Sequence, residues 1–146
     1  MIIGIGTDII DIRRIRRVIN KYGDRFKRKC FHESEIEKSD SRLNSVESYA
    51  KRYAAKEACA KALGTGLARG VFWKDIEVRN NKFGKPFIVL HNNSKNILKK
   101  LSKNNSQIEV SLSDEKAFAI ANVIISKWNQ KIKFSIIQYL FYLQYL

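Results

Sequence analysis

RYAAKEACAKALGTG, residues 52–66, is the stretch on which the fold turns. Tyr53, Ala54, Ala58, Ala62 and Leu63 recur at the spacing of one helix face, and alanine, the best helix former, dominates the run. Small side chains let such a helix lie close against a sheet. Glu57 and Lys61 stand four residues apart and leave the helix on the same side. Gly64-Thr65-Gly66 ends it, because glycine takes the left-handed conformation that closes a helix. A carboxylate, an ammonium one turn on and a flexible backbone loop make a corner for phosphate and metal. The plainer reading is an exposed ion pair followed by a C-cap.

Upstream, Ser45-Val46-Glu47-Ser48 leads into this helix, which is expected to run to Leu63. At the N-terminus, IIGIGTDII (residues 2–10) is β-branched and reads as a buried strand with an acid near its end. Asp8 is costly there unless paired, hydrogen-bonded or bound to a cation. Asp11 is better placed to cap the next helix, which frees Asp8 for another task. Residues 11–22, DIRRIRRVINKY, form an amphipathic helix with Ile12, Ile15, Val18 and Ile19 as its apolar stripe. Arg13, Arg14, Arg16, Arg17 and Lys21 crowd the rest, and the basic run continues through Arg25, Lys27, Arg28 and Lys29. Such a run is ordinarily a solvated face, but this one lacks alternating signs and reads as a docking surface. The aromatics among it, Tyr22, Phe26 and Phe31, are too sparse for a base-stacking platform. His32 opens a short helix to Lys38 and is read as a surface residue, since no Ser or Cys partner pattern accompanies it.

Downstream, DIEVR (75–79) and residues 87–90 read as strands joined through Asn80-Asn81, with Gly84-Lys85-Pro86 at the entrance to the second. Gly84 lets a ligand approach the backbone, and Lys85 offers a cation beside it. A small helix follows over 92–101, a strand over 107–112, a turn at 113–116, and an apolar strand, AFAIANVIIS, over 117–126. The expected class is α+β, with an antiparallel sheet drawn largely from the C-terminal half and packed against the alanine-rich helix.

A chain of 146 residues with 45% hydrophobic residues is long enough for one domain with a real core. Its net charge of +14 attracts an anionic partner. Cys30 and Cys59 make neither a metal spacing nor a disulfide framework, and Cys59 reads as a small buried hydrophobe. Asp8 interrupts the N-terminal apolar stretch and no basic segment precedes it, so no signal peptide is read and a cytoplasmic location is expected. The domain is expected over 1–126, followed by an apolar extension over 127–146. Its end, FSIIQYLFYLQYL, is shorter than the roughly 20 apolar residues that span a bilayer. It reads as an added packing element or a poorly ordered end, with docking on a neighbouring subunit or an interfacial membrane segment aided by Lys127, Lys131 and Lys133 as the alternatives.

GTDI (6–9), KEACAKALGTG (56–66), GKP (84–86) and VSLSDE (110–115) together resemble the holo-acyl-carrier-protein synthases, the short phosphopantetheinyl transferases of fatty-acid synthesis. The resemblance implies a phosphopantetheinyl transferase-like fold over about residues 1–126. It implies transfer of the 4'-phosphopantetheine arm of coenzyme A to a serine of apo acyl carrier protein, with release of adenosine 3',5'-bisphosphate. It further implies Mg2+ held by Asp8 and Glu57, and a catalytic pair Glu57 and Lys61. Lys61, Gly64, Thr65, Gly66, Gly84, Lys85, Pro86 and Ser113 match the coenzyme A site. Members are small homotrimers with active sites between subunits. The acidic carrier protein would meet Arg13, Arg14, Arg17, Lys21, Arg25 and Arg28, and no nucleic acid is expected. Many members carry histidine where this chain has Asp114, while others carry an acid. Magnesium suits two carboxylates plus phosphate oxygens. A metal-held water or Glu57 would take the serine proton. The alternative drawn from charge alone is a basic nucleic-acid-binding module.

Overall fold

The computed structural model describes residues 1–103 and 105–127. The chain opens with β1 (Ile2–Asp11), then α1 (Ile12–Tyr22), α2 (Asp24–Cys30), α3 (Glu33–Asp40) and α4 (Ser45–Ala62). A single 3-10 turn, Trp73–Asp75, leads into β2 (Ile76–Asn80) and β3 (Pro86–Leu90). The chain then continues through α5 (Asn92–Ser102), β4 (Ser106–Glu115) and β5 (Phe118–Lys127). The class is α+β, as expected. Apart from Lys127, the extension over 127–146 lies outside the described residues.

The strands form two antiparallel sheets rather than one. Among the described residues β1, β5 and β4 make a three-stranded sheet in that order, and β2 pairs with β3. The first strand thus joins the C-terminal hairpin, with Gly6 opposite Val123 and Asp8 opposite Ala121. β4 also runs further than its apolar pattern predicts. Ser113, Asp114 and Glu115 stay in register with Ile120, Ala119 and Phe118, and the turn shrinks to Lys116-Ala117. Those three polar residues sit on exposed strand positions, where ladder hydrogen bonds and not side-chain burial hold them.

Alternation decides which side of the large sheet is covered. Ala119, Ala121, Val123 and Ile125 are buried, as are Gly6, Asp8 and Ile10, and α4 lies across them. The helix supplies Ala54, Ala55, Ala58, Cys59 and Ala62 to the same core, so Cys59 is buried as expected. Alanine on one side and glycine on the other allow a backbone-to-backbone approach. A Cβ on Gly6 would overlap the carbonyl oxygen of Ala58, and one on Gly4 that of Ala62. Gly6→Ala therefore has to push α4 off β1. It is expected to cost at least about 1–3 kcal/mol, the usual range for overpacking, because the obstacle is main chain and not a mobile side chain. Urea unfolding measures it, and a loss near zero would contradict the close approach.

α1 begins where Asp11 acts as its N-cap: Arg13 N donates to Asp11 Oδ1 at 2.9 Å. The Arg13 guanidinium grips the same carboxylate, and these hydrogen bonds hold the Asp11 pKa down at about 2. Asp8 is left out of the capping role.

Candidate active site

Asp8, Glu57 and Lys61 come together at the seam between β1 and α4. Ile5, Thr7 and Ile9 face outward, so Asp8 faces the helix, with its side chain only 10% exposed. Lys61 Nζ donates to Asp8 Oδ1 at 2.7 Å and to the Thr7 carbonyl at 3.0 Å. The ammonium thus reaches across to the strand. Glu57 stands against the same aspartate. Its pKa is raised, first by burial, then by the Asp8 charge and by a hydrogen bond between the two carboxyl groups. Lys61 and Arg14 oppose that rise. Two carboxyl groups crowded into one place make it costly to ionise both, a cost that a divalent cation relieves. All the anionic donors are oxygens, which suits a hard cation such as magnesium.

The loop beyond α4 is built by glycine. Gly64 and Gly66 adopt φ of 78° and 60°, and Thr65 N and Gly66 N both donate to the Ala60 carbonyl. Thr65 Oγ1 donates to the Gly66 carbonyl at 2.8 Å. The loop is closed on itself, one turn beyond Lys61.

Gly84 and Pro86 lie elsewhere. Gly84 lines a cavity of about 430 Å³ together with Lys38, Arg42, Arg52 and Arg79. A second cavity of about 550 Å³ shares Arg42, Arg52 and Gly84 and adds Lys51, Pro86 and Asp114. Neither is lined by Asp8, Glu57 or Lys61. Within one chain, then, the residues matched to coenzyme A divide between an acidic corner and a basic hollow. Lys85 is exposed and pairs with Glu109 at 2.9 Å. Ser113 is exposed on β4, next to Asp114, which pairs with Lys51 at 2.5 Å.

Sequence reasoning missed Arg52. It is buried, donates to Ser48 Oγ at 2.7 Å and to Asn80 Oδ1 at 3.1 Å, and leaves its Nε without a partner beside the basic hollow. Ser48, Arg52 and Lys56 recur every four residues as a polar stripe, but only the fold shows that this stripe lies on the buried side of α4. The predicted docking residues Arg13, Arg14, Arg17, Lys21, Arg25 and Arg28 are all exposed, although Arg13 is tied to Asp11. Among the described residues no helix is long and apolar enough to cross a membrane.

A long alanine helix thus lies over a three-stranded sheet, with two acids and a lysine at their seam. The chain belongs to the 4'-phosphopantetheinyl transferase superfamily, whose model matches residues 4–127. It is 51% identical over 127 residues to the holo-[acyl-carrier-protein] synthase of Rhizobium leguminosarum, covering 86% of this chain and 95% of that one. Its fold matches the crystal structure of the holo-[acyl-carrier-protein] synthase of Neisseria meningitidis with a TM-score of 0.78 and 35% identity, over 87% of this chain and 100% of that one. It also matches the Bacillus anthracis holo-(acyl-carrier-protein) synthase in complex with CoA (3',5'-ADP), with a TM-score of 0.71 and 34% identity, over 88% and 99% of the two chains.

Proposed function

We propose that this chain is a holo-acyl-carrier-protein synthase. It transfers 4'-phosphopantetheine from coenzyme A to a serine of apo acyl carrier protein, in fatty acid biosynthesis. The single observation that carries the reading is the corner in which Asp8, Glu57 and Lys61 meet.

Asp8 and Glu57 are the residues that would hold Mg2+. When bound, the ion neutralises the diphosphate of coenzyme A and the charge that builds on the leaving phosphate. Lys61 supplies a second cation on that side, and the Gly64–Gly66 loop lets a phosphate approach the backbone. Glu57, whose affinity for a proton is raised by burial and by Asp8, suits the task of accepting the proton of the attacking serine. Gly84, Lys85, Pro86 and Ser113 belong to the coenzyme A site on the basic side, where Arg42 and Arg52 face the cavity. The exposed arginines of α1 and α2 offer an acidic carrier protein a complementary field that speeds encounter.

A homotrimer follows from the same reading. Ile5 pairs with Ile124 and Ile9 with Ile120 across the sheet, and these four with Phe118 leave an apolar outer surface exposed. Such a patch calls for a partner, and neighbouring copies would bring the basic hollow of one chain to the acidic corner of the next. Sedimentation of the full chain should give three copies. A cytoplasmic location accords with the reaction.

The experiment is incubation with apo acyl carrier protein, coenzyme A and magnesium, followed by mass spectrometry. The expected result is a mass gain on the carrier equal to one phosphopantetheine arm, lost on adding a chelator. No gain with any acyl carrier protein, combined with tight, salt-sensitive binding of RNA, would favour the nucleic-acid reading instead.

A further inference from the structure

Away from the acidic corner, three metal-ligating side chains converge where α3, β2 and α5 meet. His32 is the N-cap of α3, Glu77 lies on β2, and His91 is the N-cap of α5. One donor atom of each lies within 4.8 Å of the other two.

The geometry is close to a coordination shell. His91 Nε2 donates to Glu77 Oε2 at 2.9 Å, and a cation entering between them would displace that proton. Donors around a tetrahedral zinc, bound at about 2.0–2.2 Å, stand about 3.3–3.6 Å from one another. The third donor, from His32, lies within 4.8 Å of both. The imidazole rings of His32 and His91 lie side by side, with centroids 4.7 Å apart.

The outer contacts are those that ready ligands for a metal. His32 Nε2 lies 2.6 Å from the Lys74 carbonyl, which has no hydrogen to give. Nε2 therefore carries the proton, and the lone pair is left on Nδ1. An imidazole held to a backbone carbonyl in this way is fixed in tautomer and orientation. Glu77 is anchored at its other oxygen by Ser34, at 2.6 Å, and Arg79, at 2.8 Å. Burial pushes its pKa up, but the hydrogen bonds from Ser34, Arg79 and His91 prevail and hold it at about 2, so the carboxylate is ionised. Its side chain is 4% exposed while that of His91 is 35% exposed, so the cluster has a closed base and an open mouth.

We propose that His32, Glu77 and His91 form a binding site for a zinc-class divalent cation, with water in the fourth position. Two imidazoles and one carboxylate favour zinc over magnesium, which takes oxygen. The site is thus chemically separate from the Asp8–Glu57 corner. Bound there, the cation ties α3, β2 and the start of α5 to one point.

The test uses the full chain, stripped with a chelator and returned to buffer with excess Mg2+ to occupy the acidic corner. Zinc titration should then give one ion per chain, and cobalt in its place should give the visible absorption of a four-coordinate site. Zinc at 100 times its Kd should raise Tm by about 5 °C or more. His91→Asn, a half-exposed change that keeps a polar side chain, should weaken zinc binding by about 100-fold or more, and Glu77→Gln likewise. Asp8→Ala should bind zinc as the parent does. Failure of the parent to bind zinc above excess magnesium overturns the proposal. So does binding that survives His91→Asn, or binding that Asp8→Ala removes.

Discussion

Asp8→Ala and Glu57→Ala each lower kcat for transfer by about a thousandfold or more, while the circular dichroism of the protein is unchanged. The size follows from what each variant leaves behind. Without Asp8, Lys61 loses its 2.7 Å partner and the corner keeps one carboxylate. Without Glu57, Asp8 remains paired to Lys61, and no acid on α4 faces it. In either case the pair of oxygens for a hard cation is gone. Turnover near the parent level in either variant would remove both residues from the reaction.

The same pair has a signature in stability. The pKa of Glu57 is raised in the folded chain, chiefly by burial and next by Asp8. A carboxyl with a raised folded pKa binds protons more tightly when folded. Its ionisation therefore costs stability as pH rises through that value, and the cost vanishes below the unfolded pKa. Metal-free Glu57→Gln should accordingly melt above the parent at pH 8, and the gap should close toward pH 4. Saturating magnesium should reverse the order at pH 8 by stabilising only the parent. A gap independent of pH would contradict the raised proton affinity of Glu57.

Lys56→Ala is the largest expected loss of stability, about 3–5 kcal/mol, or a fall in Tm of about 10 °C. Lys56 and Glu35 are both fully enclosed, with side chains 0% exposed, and their charged ends meet at 2.8 Å. Lys56 Nζ also donates to the carbonyls of Trp73 and Ile76, while Glu35 accepts from His32 N and Val78 N. The pair thus joins α4, α3 and β2. Burial lowers the pKa of Lys56, and Glu35 opposes that. Alanine would strand a buried carboxylate. The double variant Lys56→Met with Glu35→Gln should recover part of the loss, because no unpaired charge then remains. Urea unfolding of the two single variants and the double variant measures the coupling. A single-variant loss under about 1 kcal/mol would mean that the pair contributes little.

Residues with strong local periodicity were legible in advance. The alternation of β5, the apolar stripe of α1 and the alanine run of α4 each report one buried face, and all three elements form there. Asp11 was legible as a cap because capping is local. The partner of Lys61 was not, since Asp8 reaches it only once β1 and α4 are laid together. Lys56 and Arg52 look like surface charges on any helix. Their burial depends on Glu35, Ser48 and Asn80, which the chain supplies from other elements. The division of the predicted coenzyme A residues between two places is likewise invisible in a linear motif. His32 was read as a lone surface residue because its neighbours, Glu77 and His91, come from other parts of the chain.

The glycine contact between β1 and α4 has a practical consequence for altering this protein. Because carbonyls of the helix rest directly on the strand at Gly4 and Gly6, the backbone spacing of the two elements that carry the acids is set by main chain. Side chains added at Gly4 or Gly6 are expected to destabilise the fold, whereas changes at Asp8 and Glu57 leave that contact intact. On the proposed function, changes in substrate choice are better sought at Lys38 and Arg42, which are exposed and line the hollow.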